Sequence, residues 1–176
     1  MAIDESRKFK PINIAVLTVS DTRTPETDTS GDILAERVRR AGHILAARVI
    51  VKDDAPSLAA QFEAWIDDPA IDAVISTGGT GLTGRDVTPE ALAMIEGARD
   101  IPGFGELFRW LSFRTIGTST VQSRACAVVA RGTYIFALPG SNGAVKDGWD
   151  GILAEQLDSR NRPCNFVELM PRLKEI

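Results

Sequence analysis

Apolar positions along the chain fall into two rhythms. INIAVLTVS (Ile12–Ser20) is almost unbroken and rich in β-branched residues, which predicts a strand covered on both faces. HILAARVIV (His43–Val51), AVIST (Ala73–Thr77), CAVVA and YIFAL read the same way. Between them the spacing lengthens to a helical period. Leu34, Val38 and Ala41 share one face of a segment that starts near Thr29 or Ser30 and stops at Gly42. Leu58, Phe62, Trp65 and Ile66 repeat this after Pro56, and Val145, Trp149, Ile152 and Leu153 repeat it in a long final helix after LPGSN. PGFGELFRWLSF (Pro102–Phe113) is predicted helical beyond its glycines. A hydroxyl cap and a first-turn proline at Thr88-Pro89 predict one more start. Arg131-Gly132-Thr133 predicts a tight hairpin. The tail RNRPCNFVELMPRL reads as irregular.

Strands alternating with helices imply βαβ units and a mostly parallel sheet with helices on both faces, an α/β fold. Residues 12–176 are expected to form one domain after a flexible tail, 1–11. In such sheets ligands collect where strands end. Four polar loops are predicted at that rim: Ser20–Ser30, Lys52–Asp54, Thr77–Thr88 and Leu138–Asn142.

Composition narrows the functional classes. With 44% hydrophobic and 25% charged residues the chain has the make-up of a soluble globular domain. A net charge of −4 argues against a general nucleic-acid binder, and no apolar run approaches the ~20 residues of a membrane helix. The polar start MAIDESRKFK does not read as a secretory leader, so a cytoplasmic location is expected. Cys126 and Cys164 form no metal motif; reduced thiols are the simple reading, one disulfide the alternative. The single histidine, His43, has no accompanying nucleophile motif and is read as structural.

The densest chemistry lies in STGGTGLTGRDVTPEAL (Ser76–Leu92). Gly79–Gly84 spells G-x-G-x-x-G, but Arg85, Asp86 and Val87 separate it from the helix, which weakens a Rossmann reading. It nearly spells a P-loop too, with Arg85-Asp86 where that motif needs Lys and then Ser or Thr. Glycines permit positive φ and let backbone N–H groups face an anion. Asp86 beside a phosphate would demand a bridging cation, which suggests Mg²⁺. The plain alternative is a strand-to-helix turn whose Asp86 favours the helix start. Asp53, at the end of another strand, offers a second carboxylate for Mg²⁺. Asp54 is read as the N-cap of the next helix, and Asp21 and Asp28 as turn residues.

TVSDT, SGD, TGGTG with RDVTPEA, PGFGE and LPGS occur in that order from Ile12 to Ser141. Together they resemble the MoaB/MogA family of molybdenum cofactor biosynthesis, whose superfamily includes the gephyrin G domain. LSFRTIGTSTVQSRA and RPCNF resemble the MoaB branch. The resemblance implies a three-layer α/β/α sandwich that binds molybdopterin, the dithiolene pterin of the cofactor. Active members adenylylate molybdopterin with Mg-ATP as co-substrate and release pyrophosphate. Members assemble as trimers, or as hexamers in the MoaB branch, and work beside other proteins of the pathway. Some MoaB-type relatives lack the acidic positions; Asp53 and Asp86 match them here, with Asp54 as the alternative match. By the same resemblance, backbone N–H groups of Gly78, Gly79, Thr80 and Gly81 would meet ATP phosphates. Ser20, Asp21, Ser30, Pro139, Gly140 and Ser141 would line the pocket, and Glu106 matches the acid of PGFGE. Arg85, Arg109, Arg114 and Arg124 are either phosphate partners or solvated surface. Phe104, Phe108, Trp110 and Phe113 are either a pterin platform, packing or a subunit contact. Two further functions stay open: a carrier of molybdopterin without turnover, and an unrelated phosphate binder.

Overall fold

A computed structural model describes residues 3–175. Six strands form one sheet: β1 (Asn13–Val19), β2 (Ile44–Val51), β3 (Ala73–Thr77), β4 (Arg99–Asp100), β5 (Cys126–Ala130) and β6 (Thr133–Leu138). Their spatial order is β2-β1-β3-β6-β5-β4. The first four run parallel; β5 pairs antiparallel with β6, and β4 antiparallel with β5. Helices α1 (Thr29–Arg40), α2 (Ala55–Ile66), α3 (Thr88–Ala93), α4 (Pro102–Ile116), α5 (Asn142–Gly148), α6 (Ala154–Gln156) and α7 (Phe166–Leu169) surround it. The expected three-layer α/β/α sandwich with a mostly parallel sheet is what the chain forms.

Alternation along β1 builds two cores. Ile14 and Val16 face Leu34, Val38, Phe108 and Trp149, whereas Ala15, Leu17 and Val19 face Leu58, Phe62 and Leu92. A strand feeding two cores must be apolar at every position, which is why INIAVLTVS shows no alternation.

Several local expectations change. Asp28 is no turn residue: it is fully buried and N-caps α1, accepting from the Gly31 N–H at 2.9 Å. Thr88 does not cap α3; its buried hydroxyl donates to the Gly78 carbonyl at 2.9 Å, and the N-cap position is Val87. The long final helix is broken by a π turn over Trp149–Leu153, which keeps Trp149, Ile152 and Leu153 all in the core. Cys126 and Cys164 are free, so the disulfide alternative drops out.

His43 is buried, and its Nδ1 accepts from the Ile12 N–H at 3.3 Å. The two-residue hairpin Arg131-Gly132 takes φ of 48° and 99°, as a right-twisted hairpin requires. Arg131 holds that unusual conformation while pairing with Glu63 and Asp67. Before β1, Arg7 pairs with Glu168, and the Lys10 N–H donates to Ser159 Oγ at 2.9 Å.

Candidate functional site

The carboxyl ends of β1, β2, β3 and β6 lie along one rim, because these four strands are parallel. The four polar loops therefore converge. The Ser20 N–H donates to Val51 O at 2.9 Å, joining the first loop to the end of β2, and the Gly78 N–H donates to Leu138 O, joining the glycine loop to LPGSN.

The glycine loop has a defined polarity. Gly78 and Gly79 take φ of 106° and 67°, and a Cβ on either would strike Val19 O at 2.3 Å or Thr88 Oγ1 at 2.4 Å. Their carbonyls are turned inward, Gly78 to the Thr88 hydroxyl and Gly79 to the Thr88 N–H. The Thr80 carbonyl accepts from the Arg124 N–H at 2.8 Å, and the Gly81 carbonyl from Arg124 Nε at 2.7 Å. With the acceptors used, the N–H groups of Gly79 and Thr80 have no acceptor among the described residues. A run of spare N–H donors is what an anion needs.

Arg124 is neither free surface nor an open phosphate partner. Its guanidinium reaches the carbonyls of Gly81 and Asp86 and pairs with Glu90, so it clamps the loop to α3. Arg85 pairs with Asp21 and ties the glycine loop to the loop after β1. Arg109 donates to Ala125 O at 3.0 Å, and Arg114 lies 4.2 Å over the Trp110 ring.

Asp86 lies near enough to Asp53 for its charge to act there. Partial burial, then the Asp86 charge, raise the Asp53 carboxyl above its ordinary value. Burial pushes Asp86 the same way, but the Thr83 hydroxyl and N–H, at 2.7 and 2.9 Å, together with the Gly81 N–H and Arg124, bring it below. Neighbouring carboxyls, one of which raises the other, are an arrangement a divalent cation would relieve. Asp54 is used otherwise: it N-caps α2, accepting from the Ser57 N–H at 3.0 Å. No group of three or more metal-binding side chains occurs among the described residues, so the pair stands alone. Mg²⁺ takes one or two protein carboxylates and completes its shell elsewhere, and Asp53 and Asp86 are the residues that could hold it.

A cleft of about 380 Å³ opens beneath the glycine loop, lined by Thr80 and Gly81, by Pro139, Ser141 and Ala144, and by α4 residues including Phe108 and Ser112. Thr80 is only 2% exposed, and its hydroxyl has no partner among the described residues. Ser141 N-caps α5, and Gly140 packs against Gly78. Ser20 accepts from the Thr22 and Arg23 N–H groups, and with Asp21 it lines a second cleft of about 650 Å³ against β2. Two predicted residues lie apart from this cluster. Ser30 is buried beside Asp28, 3.4 Å from its carboxylate. Glu106 lines a third cleft with Asp100, Arg109 and Cys126. Of the aromatic residues, Phe104 and Phe108 are core, whereas Trp110 and Phe113 are exposed.

Sequence reading missed Asp147, Ser112 and Thr115, which also line the first cleft. The available signals were a buried serine on the apolar face of α4 and an acid inside the turn that carries Val145 and Trp149.

The family model for a "probable molybdopterin binding domain" matches residues 15–159. The chain is 50% identical over 170 residues to molybdenum cofactor biosynthesis protein B of Escherichia coli K12, covering 97% of this chain and 98% of that protein. Against the protein of the same name from Bacillus subtilis it is 42% identical over 160 residues, covering 89% and 94%. A crystal structure of molybdenum cofactor biosynthesis protein B superposes with a TM-score of 0.85 at 36% identity, covering 97% of this chain and all of that one. The matched domain holds the rim, the glycine loop and both aspartates, and the chain belongs to the molybdenum cofactor biosynthesis family defined by this domain.

Proposed function

We propose that the protein binds molybdopterin in the cleft beneath the glycine loop and adenylylates it with ATP. The observation that carries this reading is the Asp53–Asp86 pair set beside the spare N–H donors of Gly79 and Thr80. Asp53 and Asp86 would hold Mg²⁺, which when bound neutralises phosphate charge. In the reaction an oxygen of the pterin's terminal phosphate attacks the α-phosphorus of ATP. The bond from that phosphorus to the β-bridging oxygen breaks, and pyrophosphate leaves. A phosphate monoester is already anionic near neutrality, so no general base is needed; the chain positions the two phosphates and supplies donors to them. His43, the single histidine, is buried and engaged with Ile12, in keeping with that economy.

The competing reading is a carrier that binds molybdopterin without turnover. It draws on the Thr83–Asp86 hydrogen bonds, which give Asp86 a use in shaping the loop without any metal. A coupled pyrophosphate assay separates the two. Pyrophosphate should appear only with molybdopterin, ATP and Mg²⁺ together, and Asp86→Asn should lower the rate by on the order of 100-fold. Molybdopterin retained with no pyrophosphate released would establish the carrier. Independently of turnover, millimolar Mg²⁺ should raise the melting temperature of the wild type and not of Asp53→Asn.

A further inference from the structure

The cleft beneath the glycine loop combines apolar side chains such as Phe108, Ile116 and Pro139 with hydroxyls of Ser112, Thr115 and Ser141. One carboxylate enters that lining: Asp147, half-buried on α5. Among the described residues it enters no ion pair, and its contacts are the Ser112 and Thr115 hydroxyls, both 3.4 Å from Oδ2. The single proton of Thr115 is also directed to the Ser112 carbonyl at 3.0 Å, a shorter contact. Asp147 is thus left with at most one long bond from Ser112, and Oδ1 has no partner among the described residues. Half-buried at the cleft, with one oxygen free of protein partners among the described residues, Asp147 can accept from an incoming ligand that brings donors.

The glycine-loop side of the same cleft has the opposite need. The spare N–H groups of Gly79 and Thr80 call for an acceptor, and the buried Thr80 hydroxyl lacks a partner among the described residues. A phosphorylated pterin is polar in the matching sense. Its pyrimidinone edge presents N3–H and the 2-amino group side by side, and its phosphate supplies acceptors at the far end. We infer that Asp147 is the group that recognises the pterin, its two oxygens accepting from N3–H and the 2-amino group. Asp147 thereby fixes which end of the substrate faces the glycine loop. The inference rests on the molybdopterin-binding reading and adds a specificity-determining residue to it.

Displacement of bound molybdopterin by pterin and by lumazine tests it. Lumazine carries a carbonyl where pterin carries the 2-amino group, so it would set an acceptor against the carboxylate. The wild type should prefer pterin by at least about tenfold, equivalent to about 1.4 kcal/mol. Asp147→Asn, whose amide can turn an N–H toward that carbonyl, should reduce the preference to about twofold or less while its circular dichroism stays that of the wild type. Equal displacement by pterin and lumazine in the wild type, or an unchanged preference in Asp147→Asn, overturns the assignment and leaves molybdopterin binding standing. Should Asp147→Asn fail to fold, the wild-type comparison alone decides. A wild type that does not retain molybdopterin at all removes the underlying reading, and the role of Asp147 with it.

Discussion

Asp28 shows how much one side chain can carry out of sight of the solvent. It is fully buried, and it accepts from Arg48 at 2.7 Å, the Gly31 N–H and the Thr18 hydroxyl. Burial disfavours its charge, but Arg48, Gly31 and Thr18 together hold its carboxyl below the ordinary value. Its stabilising share is therefore complete at neutral pH and is lost as pH falls through the carboxylate range to the folded value. Asp28→Ala removes the cap and one of the two carboxylate partners of Arg48, Asp32 remaining, and urea denaturation should register a loss of about 2–3 kcal/mol. His43 works at a higher range of pH and from the other sign of charge. Burial lowers its pKa, Asp158 opposing, and the neutral Nδ1 is the acceptor for Ile12. Protonation sets a donor against a donor. The unfolded chain takes up the proton first, so stability should fall as pH drops from about 7 through the ordinary histidine range. His43→Gln should flatten that slope in thermal melts between about pH 7 and pH 5.5.

Among the elements, the glycine loop is held by a residue remote in sequence. Arg124 grips the carbonyls of Gly81 and Asp86 and the carboxylate of Glu90 from the segment that leads into β5. Lysine has the charge but not the planar fork. Arg124→Lys should therefore cost about 1–2 kcal/mol in urea denaturation and weaken molybdopterin retention more than Glu90→Gln does. The strands are legible in the sequence because β1, β3 and β6 are covered on both faces and leave unbroken apolar runs. β4 is not, since two exposed residues make no pattern. Thr88 stands where a helix cap is expected, a threonine before a proline, yet its hydroxyl goes to Gly78 across the loop. The same limit governs the site. Asp53 stands just past β2 and Asp86 in the loop between β3 and α3, so both are readable as rim residues. Asp147, Ser112 and the clamp of Arg124 depend on how α4 and α5 cross, which periodicity does not encode.

At the scale of the molecule, no helix among the described residues is long and apolar enough to cross a membrane. Its outer surface is nonetheless uneven. Trp110 and Phe113 on α4 are each 55% exposed, and Val121 beyond it 79%. So large a group of exposed apolar side chains on one helix and its extension suits a subunit contact. We propose that the protein is a homo-oligomer through this face. Light scattering should report three or six times the 19.0 kDa chain, and Trp110→Asp with Phe113→Asp should reduce that mass.

The strand order has a consequence for the timing of folding. β6 docks beside β3, pairing Ala73 with Tyr134 and Thr77 with Leu138, though some sixty residues of chain separate each pair. Parallel pairing across so long an intervening segment closes late, because the loop entropy is lost before the contact is gained. The bond from the Gly78 N–H to Leu138 O exists only once β6 is in place, and LPGSN reaches the rim at the same moment. A folding chain therefore has no complete site until β6 has docked. A ligand held there cannot hasten folding; it should act by slowing unfolding, lengthening the life of the folded chain while the refolding rate stays unchanged.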